Sequence, residues 1–148
     1  MRFINTIDVA QSLHVTFSFV SNFCNASQWN YAVIKTEQIS EGPVGVGTIF
    51  RQQRRFLGRT LEDSFIITEY KVDSIVTIKS IKAKYPFLIS YSFKALDKGI
   101  LITNSFELRG GVINILGFLL NHRVKSGRGK SRQIETDCRE IINWLNVL

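Results

Sequence analysis

The sequence is poor in the residues that build disulfide frameworks and metal centres. Its 148 residues include two cysteines, Cys24 and Cys138, and two histidines, His14 and His122. Two cysteines are too few for a disulfide framework. The histidines lie at opposite ends of the chain and neither belongs to a pair with ligand spacing, so we expect no zinc site. Nucleotide fingerprints are missing as well, and we therefore expect no metal and no organic cofactor.

Long apolar segments are also absent. The longest apolar run, residues 112–120, contains Asn114 and Gly117 and is too short to span a bilayer. The first six residues lack the apolar core of a secretory signal. These features predict a cytoplasmic protein whose cysteines are reduced.

The chain carries a net charge of +7, and this charge is unevenly distributed, because two basic stretches contain no acidic residue. Residues 51–59 hold four arginines and residues 123–132 hold five lysines and arginines. Such stretches can attract phosphate, nucleic acid or an anionic membrane surface. Basic runs are common on the solvated surface of small domains, and we favour that interpretation over a specific nucleic-acid site. Contact of residues 123–132 with an anionic surface stays open.

What the sequence has in abundance is apolar residues at alternate positions. Hydrophobic residues make up 45% of the chain, which predicts one folded domain over residues 1–148. A period of two, interrupted by turn signals at Gly42-Pro43, Gly58-Arg59, Pro86 and 97–99, is typical of antiparallel strands. The predicted strands are residues 3–9, 33–40, 46–57, 60–72, 75–84, 87–94 and 100–109. Two short helices, residues 12–22 with Ser12 as the cap and residues 25–29, fit between the first two strands.

A helical pattern fills residues 112–147, where apolar residues recur every three or four positions on one face. The centre of that face holds only Gly127 and Ser131, so bulk is missing where a ligand would lie. Alternatively, Gly127 and Gly129 break the segment into two helices, because paired glycines are costly inside a helix. Both interpretations stay open.

This order of elements, together with residues 19–23, 28–29, 42–48, 57–59, 67–70 and 91–93, resembles the START-like (SRPBCC, Bet v 1-like) superfamily. Within it the chain is most similar to the polyketide cyclase/dehydrase and lipid-transport group. Two features depart from the family pattern: Asn22, where aspartate is usual, and the basic stretch 123–132. The resemblance implies an α+β helix-grip fold, in which a seven-stranded curved antiparallel sheet wraps around a long C-terminal helix. It also implies a hydrophobic ligand between sheet and helix.

The phase of the third strand points to a binding pocket. The more apolar set of alternate positions in this strand contains Val46, Thr48 and Phe50. If this set faces the interior, Gln52 and Arg54 also point inward. A buried guanidinium needs a partner, and either Glu62 on the next strand or an anionic ligand group would serve. Alternatively, Arg54 lies at the rim and reaches solvent through its stem.

Tyr91 and Asn104 occupy the inward phases of the sixth and seventh strands, where they would orient oxygen atoms of a ligand. As ordinary core residues their polar atoms would still need partners. Trp29 and Trp144 are interpreted as scaffold. The full predicted ligand-binding set is Phe50, Gln52, Arg54, Tyr91, Phe93, Asn104, Phe106, Gly127 and Ser131.

Three functions are compatible with this pattern. The first is binding or carriage of a lipid, isoprenoid or polyketide-like molecule by a monomer or weak dimer. The second is an enzyme of the cyclase/dehydrase kind, which would use Arg54, Glu62, Tyr91 or Asn104 to polarise a carbonyl or move a proton. The third is an interaction module that meets an acidic partner or membrane through the basic C-terminal helix. A carrier needs no titrating group in the cavity, whereas an enzyme usually does.

Overall fold

A computed structural model describes residues 2–30, 32–56 and 58–109. The predicted C-terminal helix, with Gly127, Ser131 and the basic stretch 123–132, lies outside the described residues. The strands are β1 (Arg2–Val9), β2 (Val33–Gln38), β3 (Ile49–Phe56), β4 (Arg59–Lys71), β5 (Ile75–Lys82), β6 (Phe87–Leu96) and β7 (Gly99–Leu108). The helices are α1 (Leu13–Ser21), a 3-10 helix (Phe23–Asn25) and α2 (Ala26–Trp29). The predicted α+β order of these elements is confirmed.

All seven strands form one antiparallel sheet in the order β1-β7-β6-β5-β4-β3-β2. Sequential strands from β2 to β7 are neighbours, and the first strand then pairs with the last of the described strands. The register of β4 against β5 shifts twice, between Ser64 and Phe65 and between Ile67 and Glu69. Such bulges increase the local twist and help the sheet to curve.

The helices follow from local signals between β1 and β2. Ser12 occupies the N-cap position of α1 in extended conformation, but its side chain makes no capping hydrogen bond, in contrast to our expectation. Asn22 ends α1, and its side-chain oxygen accepts a hydrogen bond from the backbone of Cys24 at 3.2 Å, which caps the 3-10 helix. The three short helices place Phe17, Phe23 and Trp29 over the sheet.

The third strand begins later than predicted. It starts at Ile49 rather than residue 46, and Val46 is 68% exposed instead of facing inward. The reason is a turn at Gly45–Gly47, in which the Thr48 hydroxyl accepts a hydrogen bond from the backbone N–H of Gly45 at 2.9 Å. Gly47 has φ +90°, a conformation that residues other than glycine rarely adopt.

Within the described residues, no helix is long and apolar enough to cross a membrane.

Candidate functional site

The concave face of the sheet carries a continuous aromatic surface. Phe50 and Phe65, on neighbouring strands, stack with ring centroids 5.4 Å apart. Phe23 of the 3-10 helix packs edge-on against both rings, at 5.6 and 5.3 Å, and lies 6.0 Å from the Tyr91 ring. The period-two pattern accounts for this surface, since every inward position from β3 to β7 adds to the same face.

The structure buries most of the predicted ligand-binding residues on this face. The buried members of that set are Phe50, Gln52, Arg54, Tyr91, Phe93, Asn104 and Phe106. Gly127 and Ser131 lie outside the described residues. The inward phase of these side chains therefore agrees with the sequence, and their role in ligand binding stays a prediction.

Arg54 is fully inside and forms an ion pair with Asp63. Its Nε donates a hydrogen bond to Asp63 Oδ2, and the two side chains are 1% and 0% exposed. The guanidinium carbon also lies 4.9 Å from the centre of the Phe56 ring. Burial lowers the pKa of Arg54, and the nearby Asp63 carboxylate acts in the opposite direction. Both expectations for Arg54, a rim position and a pair with Glu62, are wrong.

The register explains why Asp63 rather than Glu62 meets Arg54. Asp63 lies opposite Gln52, so its side chain shares the inner face, diagonal to Arg54. Glu62 lies opposite Gln53 on the outer face and is exposed. Glu62 therefore does not belong to the interior site. The signal that would have found Asp63 is the alternation of Asp63, Phe65 and Ile67 along β4.

Tyr91 and Asn104 lie directly opposite each other on β6 and β7. Desolvation by burial raises the pKa of Tyr91 above its usual value, which favours the protonated hydroxyl. Asn104 Oδ1 is buried and has no hydrogen-bond partner among the described residues. A buried amide oxygen of this kind is an acceptor site for a ligand or a water.

Trp29, interpreted from the sequence as scaffold, lines a small cavity beside Tyr91. The cavity of about 20 Å³ also touches Asn30 and Gln52, and a volume of this size holds about one water molecule. The two aromatic rings meet edge-on, with centroids 6.0 Å apart. Trp29 Nε1 is buried without a hydrogen-bond partner in the described part of the chain. The indole N–H is thus a second polar group on the inner side.

The basic stretch 51–59 does not form one continuous surface. Arg54 faces inward, whereas Arg51 and Arg55 face outward and are exposed. Arg51 Nη2 donates to Glu37 Oε2 at 3.0 Å, and Lys35 pairs with the same carboxylate. Arg51 therefore has an acidic partner on the neighbouring strand, which it shares with Lys35. Among residues 2–109 as described, no cluster of three histidine, cysteine, aspartate or glutamate residues is arranged to hold a metal ion.

Comparison with known proteins places this geometry in a known fold. No protein-family model and no curated protein sequence matches the chain. Solved structures do match. A START superfamily protein from Mycobacterium smegmatis is 16% identical with a TM-score of 0.65, over 90% of this chain and 98% of that one. The chain has a START-like fold.

Two further structures extend the START-like comparison. The Zhui aromatase/cyclase from Streptomyces sp. R1128 is 12% identical with a TM-score of 0.65, over 99% of this chain and 89% of that one. Ginseng major latex-like protein 151 from Panax ginseng is 12% identical with a TM-score of 0.64, over 95% of this chain and 94% of that one. At these identities the likeness concerns the fold, and the predicted resemblance is confirmed at that level.

Proposed function

We propose that the protein binds a hydrophobic small molecule that carries at least one hydroxyl group, on the concave face of its START-like sheet. The observation that carries this proposal is Asn104 Oδ1, a buried acceptor without a partner among the described residues, set in an aromatic surface. Leaving a buried polar atom unpaired costs about 1–3 kcal/mol, so a position that keeps one is a candidate for contact with a ligand.

The polar groups around the aromatic surface define the chemistry of the ligand. Asn104 Oδ1 accepts a hydrogen bond, which calls for a hydroxyl on the ligand. Trp29 Nε1 and the protonated Tyr91 hydroxyl donate, which suits a carbonyl or ether oxygen. An apolar body with a few oxygen atoms describes a polyketide-like aromatic, an isoprenoid alcohol or a sterol-like lipid. The cyclase and latex-like neighbours support this class, since they share the fold.

The test combines native mass spectrometry of freshly purified protein with one pair of variants. A copurified small molecule should appear, and Asn104→Leu should remove the preference for a hydroxylated ligand over its deoxy analogue while apolar dye binding is retained. Thr103→Val, on the outer side of the same strand, should leave both properties unchanged. If the folded wild type retains no small molecule and binds neither the dye nor a panel of hydroxylated lipids, the proposal is wrong.

A cyclase or dehydratase activity on such a ligand is the second candidate, and the buried Arg54–Asp63 pair favours it. The pair places a guanidinium, whose charge Asp63 compensates, in the interior, and guanidinium N–H groups are donors that can polarise a carbonyl oxygen. Arg54, Tyr91 and Asn104 remain the candidate residues, with Tyr91 as a hydrogen-bond donor. Turnover of a poly-β-ketone substrate that is abolished in Tyr91→Phe, with ligand binding retained, would distinguish an enzyme from a carrier.

A further inference from the structure

The edge strand β2 presents a backbone that is ready to accept another strand. It pairs with β3 on one side and is the last of the described strands on the other. The backbone N–H of Ile39 bonds to the Ile49 carbonyl at 2.9 Å. Hydrogen-bonded and non-hydrogen-bonded positions alternate along an antiparallel pair, so Glu37 and Lys35 also bond toward β3. The backbone groups of Thr36 and Gln38 consequently point away from β3, toward the open edge.

The side chains of β2 make this edge complementary to itself. Lys35 and Glu37 flank Thr36 symmetrically on the outer face, where their side chains are 65% and 40% exposed and the Glu37 carboxylate also contacts Lys35 and Arg51 of its own chain. If a second β2 adds in antiparallel orientation with Thr36 opposite Thr36, each Lys35 lies across from a Glu37 of the other copy. Lys35 and Glu37 then form a non-hydrogen-bonded pair, in which side chains approach most closely. The alternation of backbone hydrogen bonds along β2 and the positions of its charges thus favour the same register, with Thr36 opposite Thr36.

We propose that two copies of the chain associate through β2 in this register, and that the two sheets join into one across a two-fold axis at Thr36. Opposite charges directly across an antiparallel pair stabilise it, and the two-fold axis repeats the contact. Ile34 and Ile39, which are 43% and 50% exposed beside this edge, gain apolar cover from the second copy. Because a single short strand makes a small interface, the dimer is a weak one.

The other edge of the sheet fits a second copy less well. In β1 the charged residues Arg2 and Asp8 lie near the two ends of the strand rather than beside its centre. Arg2 Nε already donates to Ser105 Oγ at 3.1 Å. A self-pairing of β1 centred on Asn5 would place each Arg2 across from Asp8 of the other copy, but at the ends of the strand rather than beside its centre, and β2 is the edge that the pattern favours.

Cysteine cross-linking tests the register directly. Cα atoms of a hydrogen-bonded antiparallel pair lie about 5.5 Å apart, within disulfide range. In the 148-residue chain with Cys24 and Cys138 changed to serine, Thr36→Cys should give a disulfide dimer under mild oxidation. Asn5→Cys, at the centre of the other edge strand, is the matched control and should stay monomeric. The proposal is wrong if Asn5→Cys forms a disulfide dimer. It is also wrong if neither variant forms one.

Sedimentation velocity over a concentration series tests the charge contact. Wild-type protein should shift toward a dimer as the concentration rises, and Lys35→Glu should raise the dissociation constant roughly tenfold by placing like charges across the axis. Lys94→Glu makes the same change of charge on β6 and should leave the constant unchanged. Mixing Lys35→Glu with Glu37→Lys should restore association. Equal weakening by Lys35→Glu and Lys94→Glu would contradict the contact, and a strictly monomeric wild type would contradict the dimer.

Discussion

Arg54 and Asp63 form an ion pair in which both side chains are shielded from solvent, on neighbouring strands of a sheet whose inner face is otherwise largely aromatic. Moving charges out of water is costly, and a buried pair is tolerated because each charge compensates the other. The pair ties β3 to β4 through their side chains as well as through their backbones.

Asp63→Asn should destabilise the protein by about 3–5 kcal/mol, since the substitution keeps the shape of the side chain but removes the buried carboxylate bonded to Arg54. Chemical denaturation at neutral pH measures the free energy of unfolding. Glu62→Gln, one residue away on the exposed outer face, is the control and should change stability by less than about 0.5 kcal/mol. Equal losses in the free energy of unfolding for the two variants would show that the buried ion pair contributes no more to stability than an exposed carboxylate.

Tyr91 should make the protein lose stability in alkaline solution. Burial raises the pKa of Tyr91 above its usual value of 10.0, so the unfolded chain releases this proton at a lower pH than the folded one. Above a pH of about 10 the folded state therefore binds more protons, and the free energy of unfolding falls as the pH rises. Below that pH the contribution is constant.

Tyr91→Phe should remove this alkaline component, which denaturation curves recorded on both sides of that pH would reveal. Tyr85→Phe is the control for the loss of a tyrosine hydroxyl elsewhere in the chain. A wild-type protein and a Tyr91→Phe variant with parallel stability profiles in alkaline solution would refute the assignment.

Gly99→Ala should destabilise the turn between β6 and β7. A Cβ at this position would lie 2.3 Å from the Val9 carbonyl oxygen, and the backbone has φ +108°. A residue forced into such a conformation costs roughly 1–3 kcal/mol, before the clash is counted. Thermal denaturation should show a clear drop in melting temperature. Gly45→Ala meets nothing within 4 Å and should be close to neutral; a comparable loss there would mean that chain flexibility, not space, is responsible.

Two phenylalanines on α1 should differ in their effect on stability. Phe17 is 1% exposed and packs edge-on against Tyr70 and Phe93, whereas Phe19 is 38% exposed. Phe17→Ala should cost about 3–5 kcal/mol, because it leaves a cavity between helix and sheet. Phe19→Ala should cost less than half as much. If both variants unfold at the same denaturant concentration, α1 does not pack on the sheet as described.

The side-chain phases of the sheet could be predicted from sequence because a period of two is a local property. Phe50, Gln52 and Arg54 alternate along one strand, and Tyr91 and Phe93 along another, so the inward positions follow without knowledge of neighbours. The partner of Arg54 depends instead on how β3 is aligned with β4. That alignment places Asp63 diagonal to Arg54, whereas the choice of Asp63 over Glu62 follows from the phase of β4, in which Asp63, Phe65 and Ile67 face inward.

The wrong phase of Val46 and the unpredicted orientation of the Trp29 indole have different physical causes. Val46 continues the apolar alternation, but the glycines beside it allow a turn that ends the regular pattern. Trp29 lies in a helix of four residues, too short for periodicity to show which way its indole faces. Its buried N–H therefore becomes visible only when the neighbouring strands are in place.

The pairing of β1 with β7 has a consequence for synthesis of the chain. Arg2 and Ser105, which bond across this pair, are separated by 103 positions. A ribosome delivers β1 first and β7 long afterwards, so the sheet cannot complete until most of the chain has emerged. During that interval β1 lacks its partner strand β7, and its apolar side chains are not covered by the completed sheet. We expect nascent chains stalled before β7 to depend on chaperones, and chains released after it to fold without them.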